Sequence, residues 1–390
     1  MTESKTRQRK YLLVITKGNW GGAQAYLVAE ALYLHGRGDQ VWVASGETPG
    51  ARGILMERLA GTGINFVTLK YMQRDIQLSN DIRAVAELYG VIRHLSPDVV
   101  HLNSTKAGLV GSIAARLYGR TRIVFTAHGW AHRETRSGLA KYLIKILSWV
   151  TIALSDRVIA VSNLDYDDAP VMVRRHKLAI VHNGVGEFSL YERERARDLL
   201  SNLNKHLDKS KFWILAIAEL HPNKGIDVLI TAIAQMPIEA RAGIQVLVMG
   251  DGECRNELAR QAETAGLGLT IFLLGFVEQA RSFLLAADLF VLPSRKEGLP
   301  LALIEAGLAQ NPVVATNTGG VPEIISSGEA GLIVPPGDPK ALSRALLDMI
   351  TDKPRRLRSG ARLRRVALGK FREDVMLDRT AAILDAHATY

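Results

Sequence analysis

A single cysteine, Cys254, stands in a chain of 390 residues. One thiol excludes an internal disulfide framework and a cysteine-built metal cluster, and it is the usage of a reducing compartment. No apolar run approaches the roughly 20 residues that span a bilayer. The longest candidate, 139–154, is interrupted by Lys141, Lys145 and Ser148. Residues 1–10 are polar and basic with no apolar stretch leading to a cleavage site, so no secretory signal is expected. Internal repeats and low-complexity tracts are lacking. The Gly-x-Gly-x-x-Gly spacing of dinucleotide binding is absent after the first apolar run. So is any Asp-x-Asp pair or histidine cluster with ligand spacing in a suitable place, so neither a metal nor a cofactor is expected. These absences point to a cytoplasmic protein, free or held at a membrane surface.

What is present is an ordinary globular composition, 47% apolar, in a length sufficient for two domains. The formal net charge of +10 is unevenly spread. Residues 1–188 hold 24 Lys and Arg against 15 Asp and Glu, residues 189–352 hold 15 against 20, and residues 353–390 hold 10 against 4. Basic first and last segments suit an anionic partner, although a solvated basic surface explains the same counts.

Tyr-Leu-Leu-Val-Ile at 11–15 reads as a strand, 17–22 as a glycine turn and 23–34 as a helix, the opening of a doubly wound domain. Further strands at 40–45, 64–69, 98–102, 122–126, 156–162 and 177–185 alternate with helices at 53–62, 80–95, 106–117 and 139–154. A second series sets strands at 212–218, 244–249, 271–274, 288–292 and 313–316 among helices at 226–235, 254–265, 301–308 and 341–349. An amphipathic helix at 373–387 comes last. Repeated βα units predict an α/β fold of parallel sheets with right-handed crossovers, whose ligands bind beyond the carboxyl ends of strands.

Residues 294–305, Ser-Arg-Lys-Glu-Gly-Leu-Pro-Leu-Ala-Leu-Ile-Glu, follow one such strand and open a helix. Pro300 suits the first helical position. Gly298 lets a ligand come close to the backbone. The free N–H groups and positive dipole end of that helix favour an anion such as a diphosphate. Glu297 and Glu305, seven residues between them, suit hydroxyl pairs rather than phosphate oxygens. These residues read as a nucleotide-sugar site.

Glu297 and Glu305 at this spacing, with Gly-Leu-Pro after the first, resemble the signature of retaining family 4 glycosyltransferases. Thr316-Asn-Thr-Gly-Gly-Val-Pro-Glu323 and Gly331-Leu-Ile-Val-Pro-Pro-Gly337 resemble that family too. The resemblance implies the GT-B architecture, two facing Rossmann-like domains with a cleft between them that closes over the donor. The expected division is 1–185 on the acceptor side, 186–372 for the nucleotide sugar, and a helix within 373–390 packing back on the first domain. By resemblance His128, directly after a strand, lies near the donor sugar and helps stabilise developing positive charge. Gly21 and Gly22 lie against the donor phosphates or the acceptor. Lys224 and the Gly298–Leu299 backbone stabilise the departing diphosphate, and Val277 offers backbone groups to the base. Glu297 holds sugar hydroxyls and Glu305 the ribose hydroxyls. Ser104-Thr-Lys-Ala-Gly108 resembles members that act on lipid-linked acceptors, which makes Lys106 a candidate acceptor contact. His101, inside a strand, reads as packing. Two positions depart from the family pattern: Glu219 stands where an Arg is usual, and Gly186 where an Asp is usual. An acid facing a diphosphate is repulsive unless it turns away or a cation such as Arg295 compensates.

The implied partners are a nucleotide-sugar donor, with uridine diphosphate sugars the commonest case, and a glycan or polyprenyl-diphosphate-linked acceptor of a bacterial envelope or capsule. No nucleic acid is implied. The apolar helix 139–154 carries Lys141, Lys145 and Ser148 on one stripe. It reads either as lying on an anionic membrane surface or as a crossover helix with one wet edge. Three rival functions share the features above. A sugar-nucleotide 2-epimerase has the same architecture and needs no acceptor, and Glu219 keeps open a nucleotide-sugar-binding regulator or inactive partner. A glycogen-phosphorylase-like enzyme would need a lysine-bound pyridoxal phosphate, which nothing marks.

Overall fold

The computed structural model describes residues 8–47, 54–75, 77–134, 138–325 and 328–386. The chain divides into two compact units, Met1–His182 with Asp374–Tyr390, and Asn183–Glu373.

In the first unit β1 (Lys10–Lys17), β2 (Gln40–Gly46), β3 (Asn65–Leu69), β4 (Val99–Asn103), β5 (Arg122–Ala127), β6 (Arg157–Ala160) and β7 (Leu178–Ile180) form one sheet. Its order is β3-β2-β1-β4-β5-β6-β7, and every pairing is parallel. In the second unit β8 (Phe212–Ile217), β9 (Ile244–Met249), β10 (Ile271–Gly275), β11 (Leu289–Leu292), β12 (Val313–Thr316) and β13 (Leu332–Val334) pair in the order β10-β9-β8-β11-β12-β13, again all parallel. Helices cover both faces of a sheet connected this way, so its strands are apolar nearly throughout. Tyr11–Ile15 in β1 and Val246–Met249 in β9 are buried side by side without alternation. Each sheet reverses its winding once, between β1 and β4 and between β8 and β11, and ligands of such sheets bind outside those strand ends.

Two expectations are corrected here. The apolar run 177–185 pairs as a strand only over Leu178–Ile180, and the helices Asn163–Asp168 and Val171–Lys177 precede it. Ser162 caps the first of these by accepting from the Asp165 N–H, and Pro170 stands ahead of the second. Pro300 is the residue before the helix Leu301–Leu308, with ψ 116°, not its first member. The basic stretch 355–365 lies within a helix, Lys353–Lys370, started by Asp352 and Pro354. Expected helix ends at 53 and 387 lie outside the described residues.

The last helix, Glu373–Asp385, belongs to the first unit's core, where Met376, Leu377, Ala381 and Leu384 join Tyr11, Leu27 and Val41. Thr380 Oγ1 lies 3.0 Å from Tyr26 Oη, and Tyr11 Oη donates to Asp385.

Candidate functional site

In the second unit the turn after β8 and the turn after β11 flank the point of reversal, and the chain stitches them together. The backbone N–H of Arg295 donates to the Asn223 carbonyl at 2.7 Å. Gly225, at φ +64°, ends the short 3-10 turn Pro222–Lys224, and a Cβ there would lie 2.1 Å from the Pro293 carbonyl oxygen. Only glycine meets both demands without strain. Gly225→Ala should therefore lower the unfolding free energy by about 1–3 kcal/mol, read from urea titrations. A variant as stable as its parent would show that the turn shifts freely.

The stitch brings Lys224 to Glu297. Its Nζ lies 2.7 Å from Glu297 Oε1, which also accepts from Ser294 Oγ at 2.6 Å. Glu297 is 8% exposed, so one carboxylate is aimed by two donors at the end of a strand. The loop after β12 supports it from behind. Gly320 N–H donates to the Gly298 carbonyl at 2.5 Å, and at Gly319, φ +55°, a Cβ would sit 2.4 Å from the Glu297 carbonyl oxygen. The paired glycines of 319–320 thus serve a close backbone approach within the protein. Asn183 Nδ2 holds the buried Leu299 through its carbonyl at 2.7 Å.

Glu305 lies one turn into the helix Leu301–Leu308, with Oε1 3.5 Å from Arg281 Nη1. Burial holds its carboxyl above the usual carboxylate range, against the weaker opposing pull of Arg281. Arg281 stacks over the Phe188 ring at 4.9 Å and stands in the 3-10 turn Ala280–Ala286, just after the half-buried Val277. The segment 277–281 is in this way tied to the helix that carries Glu305. Lys224, Glu297, Gly298, Leu299 and Glu305 are thus brought together on adjoining loops and one helix, with Val277 on the segment that Arg281 anchors.

In the first unit Gly21 and Gly22 begin the helix Gly22–Gly36, and Gln24 fixes the turn before it by donating to Lys17 O and Asn19 Oδ1 at 3.1 Å each. Gly21 is extended, at φ −172°, so that position asks for openness rather than for a glycine-only conformation. Tyr26 of the same helix meets the His128 ring edge to face at 4.9 Å. His128 Nε2 lies 3.0 Å from the Oδ1 of the fully buried Asn103 at the end of β4. Burial, and secondarily the nearby His101, lower the His128 pKa to about 3, so the ring is neutral at pH 7. His101 is a satisfied core residue, 2.5 Å from Glu30 Oε1 and 2.7 Å from Thr126 Oγ1. Lys106, the candidate acceptor contact, lies 2.5 Å from an Asp81 carboxylate oxygen and donates to the Asp75 carbonyl at 2.8 Å. It ties two helix starts together.

The two departures meet different answers. The Arg295 guanidinium grips both carboxylate oxygens of Asp227, at 2.6 and 2.5 Å. Beside Gly186 a carboxylate is present after all, since Oε2 of Glu373 lies 2.3 Å from where a Cβ would stand. Sequence reasoning missed Ser294, Arg281 and Asn103, the residues that aim Glu297, Glu305 and His128. Of these Ser294, three residues before Glu297 in the same turn, and Asn103, at a strand's carboxyl end just before Ser104-Thr-Lys-Ala-Gly108, had local signals.

Comparison with known proteins bears on this arrangement. The family model described as Glycosyltransferase Family 4 matches residues 20–186, and the one described as Glycosyl transferases group 1 matches residues 202–366. The UDP-Gal:alpha-D-GlcNAc-diphosphoundecaprenol alpha-1,3-galactosyltransferase of Escherichia coli is 29% identical over 285 residues, 72% of this chain and 73% of its own. The capsular polysaccharide biosynthesis glycosyltransferase CapM of Staphylococcus aureus is 26% identical over 78% of this chain and 81% of its own. Among solved structures, Anabaena HepE in complex with UDP and glucose matches with a TM-score of 0.79 at 21% identity, over 97% of this chain and 100% of that one. WaaG, a glycosyltransferase involved in lipopolysaccharide biosynthesis, matches with a TM-score of 0.74 at 16% identity, over 97% and 100%. These likenesses give the fold, two Rossmann-like domains of the GT-B kind. With one model on each domain and relatives that build bacterial envelope polysaccharides, the chain belongs to the family 4 glycosyltransferases.

Proposed function

We propose that the chain moves a hexose-type sugar, with retention of configuration and without a metal, from a UDP-sugar to a hydroxyl of a glycan carried on a polyprenyl diphosphate, on the cytoplasmic side of a bacterial membrane. The observation that carries the reading is the joining of Lys224 and Glu297 at the reversal point of the second sheet, 2.7 Å apart, beside the start of the helix Leu301–Leu308. A diphosphate is already a good leaving group, so catalysis consists of stabilising its charge as the bond to the sugar breaks. Lys224 supplies a cation, and the Gly298–Leu299 backbone with the helix start supplies aligned N–H groups. Glu297 holds sugar hydroxyls and Glu305 the ribose hydroxyls, whose donation favours the charged carboxylate that burial disfavours. Val277 meets the base through its backbone, and Gly21, Gly22 and His128 serve from the first domain. The names of the relatives support the donor and acceptor classes: one uses UDP-Gal on a diphosphoundecaprenol-linked sugar, and a structural neighbour was solved with UDP-glucose.

A panel of nucleotide sugars tests this. At a hundredfold excess over Kd a bound donor adds about 2.7 kcal/mol to stability, enough for a clear rise in Tm. UDP-sugars should raise Tm, and lipid-linked acceptor should then trigger UDP release. A panel without any shift would remove the donor site. UDP released without acceptor, or a sugar epimerised in place, would replace transfer by one of the rival activities.

A further inference from the structure

The helix Gly138–Leu154 is amphipathic in an unexpected sense. Its buried side presents Ile144, Ser148, Thr151 and Ile152, and the two hydroxyls there are satisfied within the helix, by the Ile144 and Leu147 carbonyls. Its outer side carries Leu139, Tyr142, Leu143, Trp149 and Val150, which are 72, 62, 52, 44 and 38% exposed. Spacings of three, four and seven residues put these on one stripe. Ser148 is therefore turned inward, and the wet edge expected of a crossover helix is an apolar one.

The surroundings identify what covers it. The helix itself carries two lysines, Lys141 and Lys145, and no acid. Lys145 borders the stripe, 5.6 Å from the Trp149 ring centroid, and Lys141 is exposed one turn before it. The helix Val171–Lys177, joined to the end of this one by Lys177 Nζ on the Ala153 and Ser155 carbonyls, adds exposed Val171 and Met172 next to Arg174 and Arg175. A second copy on this face would set like charges against each other in a two-fold contact. An anionic bilayer answers both features at once. Apolar side chains enter the acyl boundary, Tyr and Trp rings settle at headgroup level, and lysines reach lipid phosphates.

We propose that the outer stripe of the helix Gly138–Leu154 docks the first domain on an anionic membrane surface, the helix lying in the headgroup plane. The inference stands on this stripe and its charges and is independent of the transfer reaction. The test is cosedimentation of the full chain with vesicles of phosphatidylcholine alone or with phosphatidylglycerol. Binding should require the anionic lipid, weaken as salt is raised, and fall at least tenfold in Leu143→Ser/Trp149→Ser and in Lys141→Glu/Lys145→Glu. Leu143, Trp149 and Lys141 are exposed and Lys145 partly so, and circular dichroism and the Tm rise with UDP-sugar should therefore match the parent. No binding by the parent, or equal binding by the variants, overturns the proposal. So does a parent dimer in ultracentrifugation that the Leu143/Trp149 variant splits while vesicles stay bare, for the stripe would then be a self-interface.

Discussion

Exchange of Glu297 for Gln should cut acceptor-dependent turnover by about 10²–10³-fold and leave the fold standing. The carboxylate is buried, pinned by Ser294 Oγ at 2.6 Å and Lys224 Nζ at 2.7 Å, and an amide oxygen can keep the first of these bonds. What it loses is charge. A sugar that develops positive character as it leaves the diphosphate makes its hydroxyls stronger donors, so the ionised acceptor counts most in the transition state. Lys224, 28% exposed, can turn to water when its partner is neutralised, so stability should fall by only about 1 kcal/mol. The measurements are kcat for UDP release with acceptor present and Tm without it. Unchanged turnover removes Glu297 from the reaction, and a lost melting transition makes it a structural residue.

Replacing His128 by Ala should lower turnover by about 10²-fold and also change how the protein responds to acid. With Asn103 Oδ1 accepting at 3.0 Å, Nε2 carries the ring proton and Nδ1 the lone pair. An electron-rich neutral ring can face developing positive charge, whereas an imidazolium would oppose it. Burial, helped by His101, keeps the folded pKa at about 3, so the rate profile should show no limb from His128 between about pH 5 and 8. Stability follows the opposite pattern. The unfolded imidazole binds its proton near pH 6.5 and the folded one only near 3, so stability present above about pH 6.5 drains away as pH falls toward 3. Urea titrations down that range should show a shallower decline for His128→Ala than for the parent. Identical slopes would mean that the ring is solvated enough to titrate normally.

The two sheets were legible because their strands are covered on both faces and read as unbroken apolar runs. The same rule misled at 177–185, where the run continues but the chain leaves the sheet after Ile180 and passes into the second unit at Asn183. Within the site, Glu297 and Glu305 were legible through spacing and resemblance, and their contacts were not. Lys224 stands 73 residues before Glu297, and only the left-handed turn at Gly225 lets the two loops close. Arg281 stands 24 residues before Glu305 with no local mark on it. Arg295, named as a counter-charge to Glu219, also pairs with Asp227, 68 residues before it. Such pairings depend on which loops a parallel sheet sets side by side, and a one-dimensional pattern does not carry that.

The helix Glu373–Asp385 also has a bearing on how the protein is made. Strand β1 leaves the ribosome long before the helix Glu373–Asp385, yet Tyr11 and Tyr26 find their partners in Asp385 and Thr380, 374 and 354 residues further along the chain. The second unit, contiguous from Asn183 to Glu373, is complete before that helix emerges. At roughly 5–20 residues per second, on the order of 200 residues take about 10–40 s. Through that interval the earlier half of the newborn chain stands with one wall of its interior open to the cell, and the span is a natural occasion for a chaperone to bind.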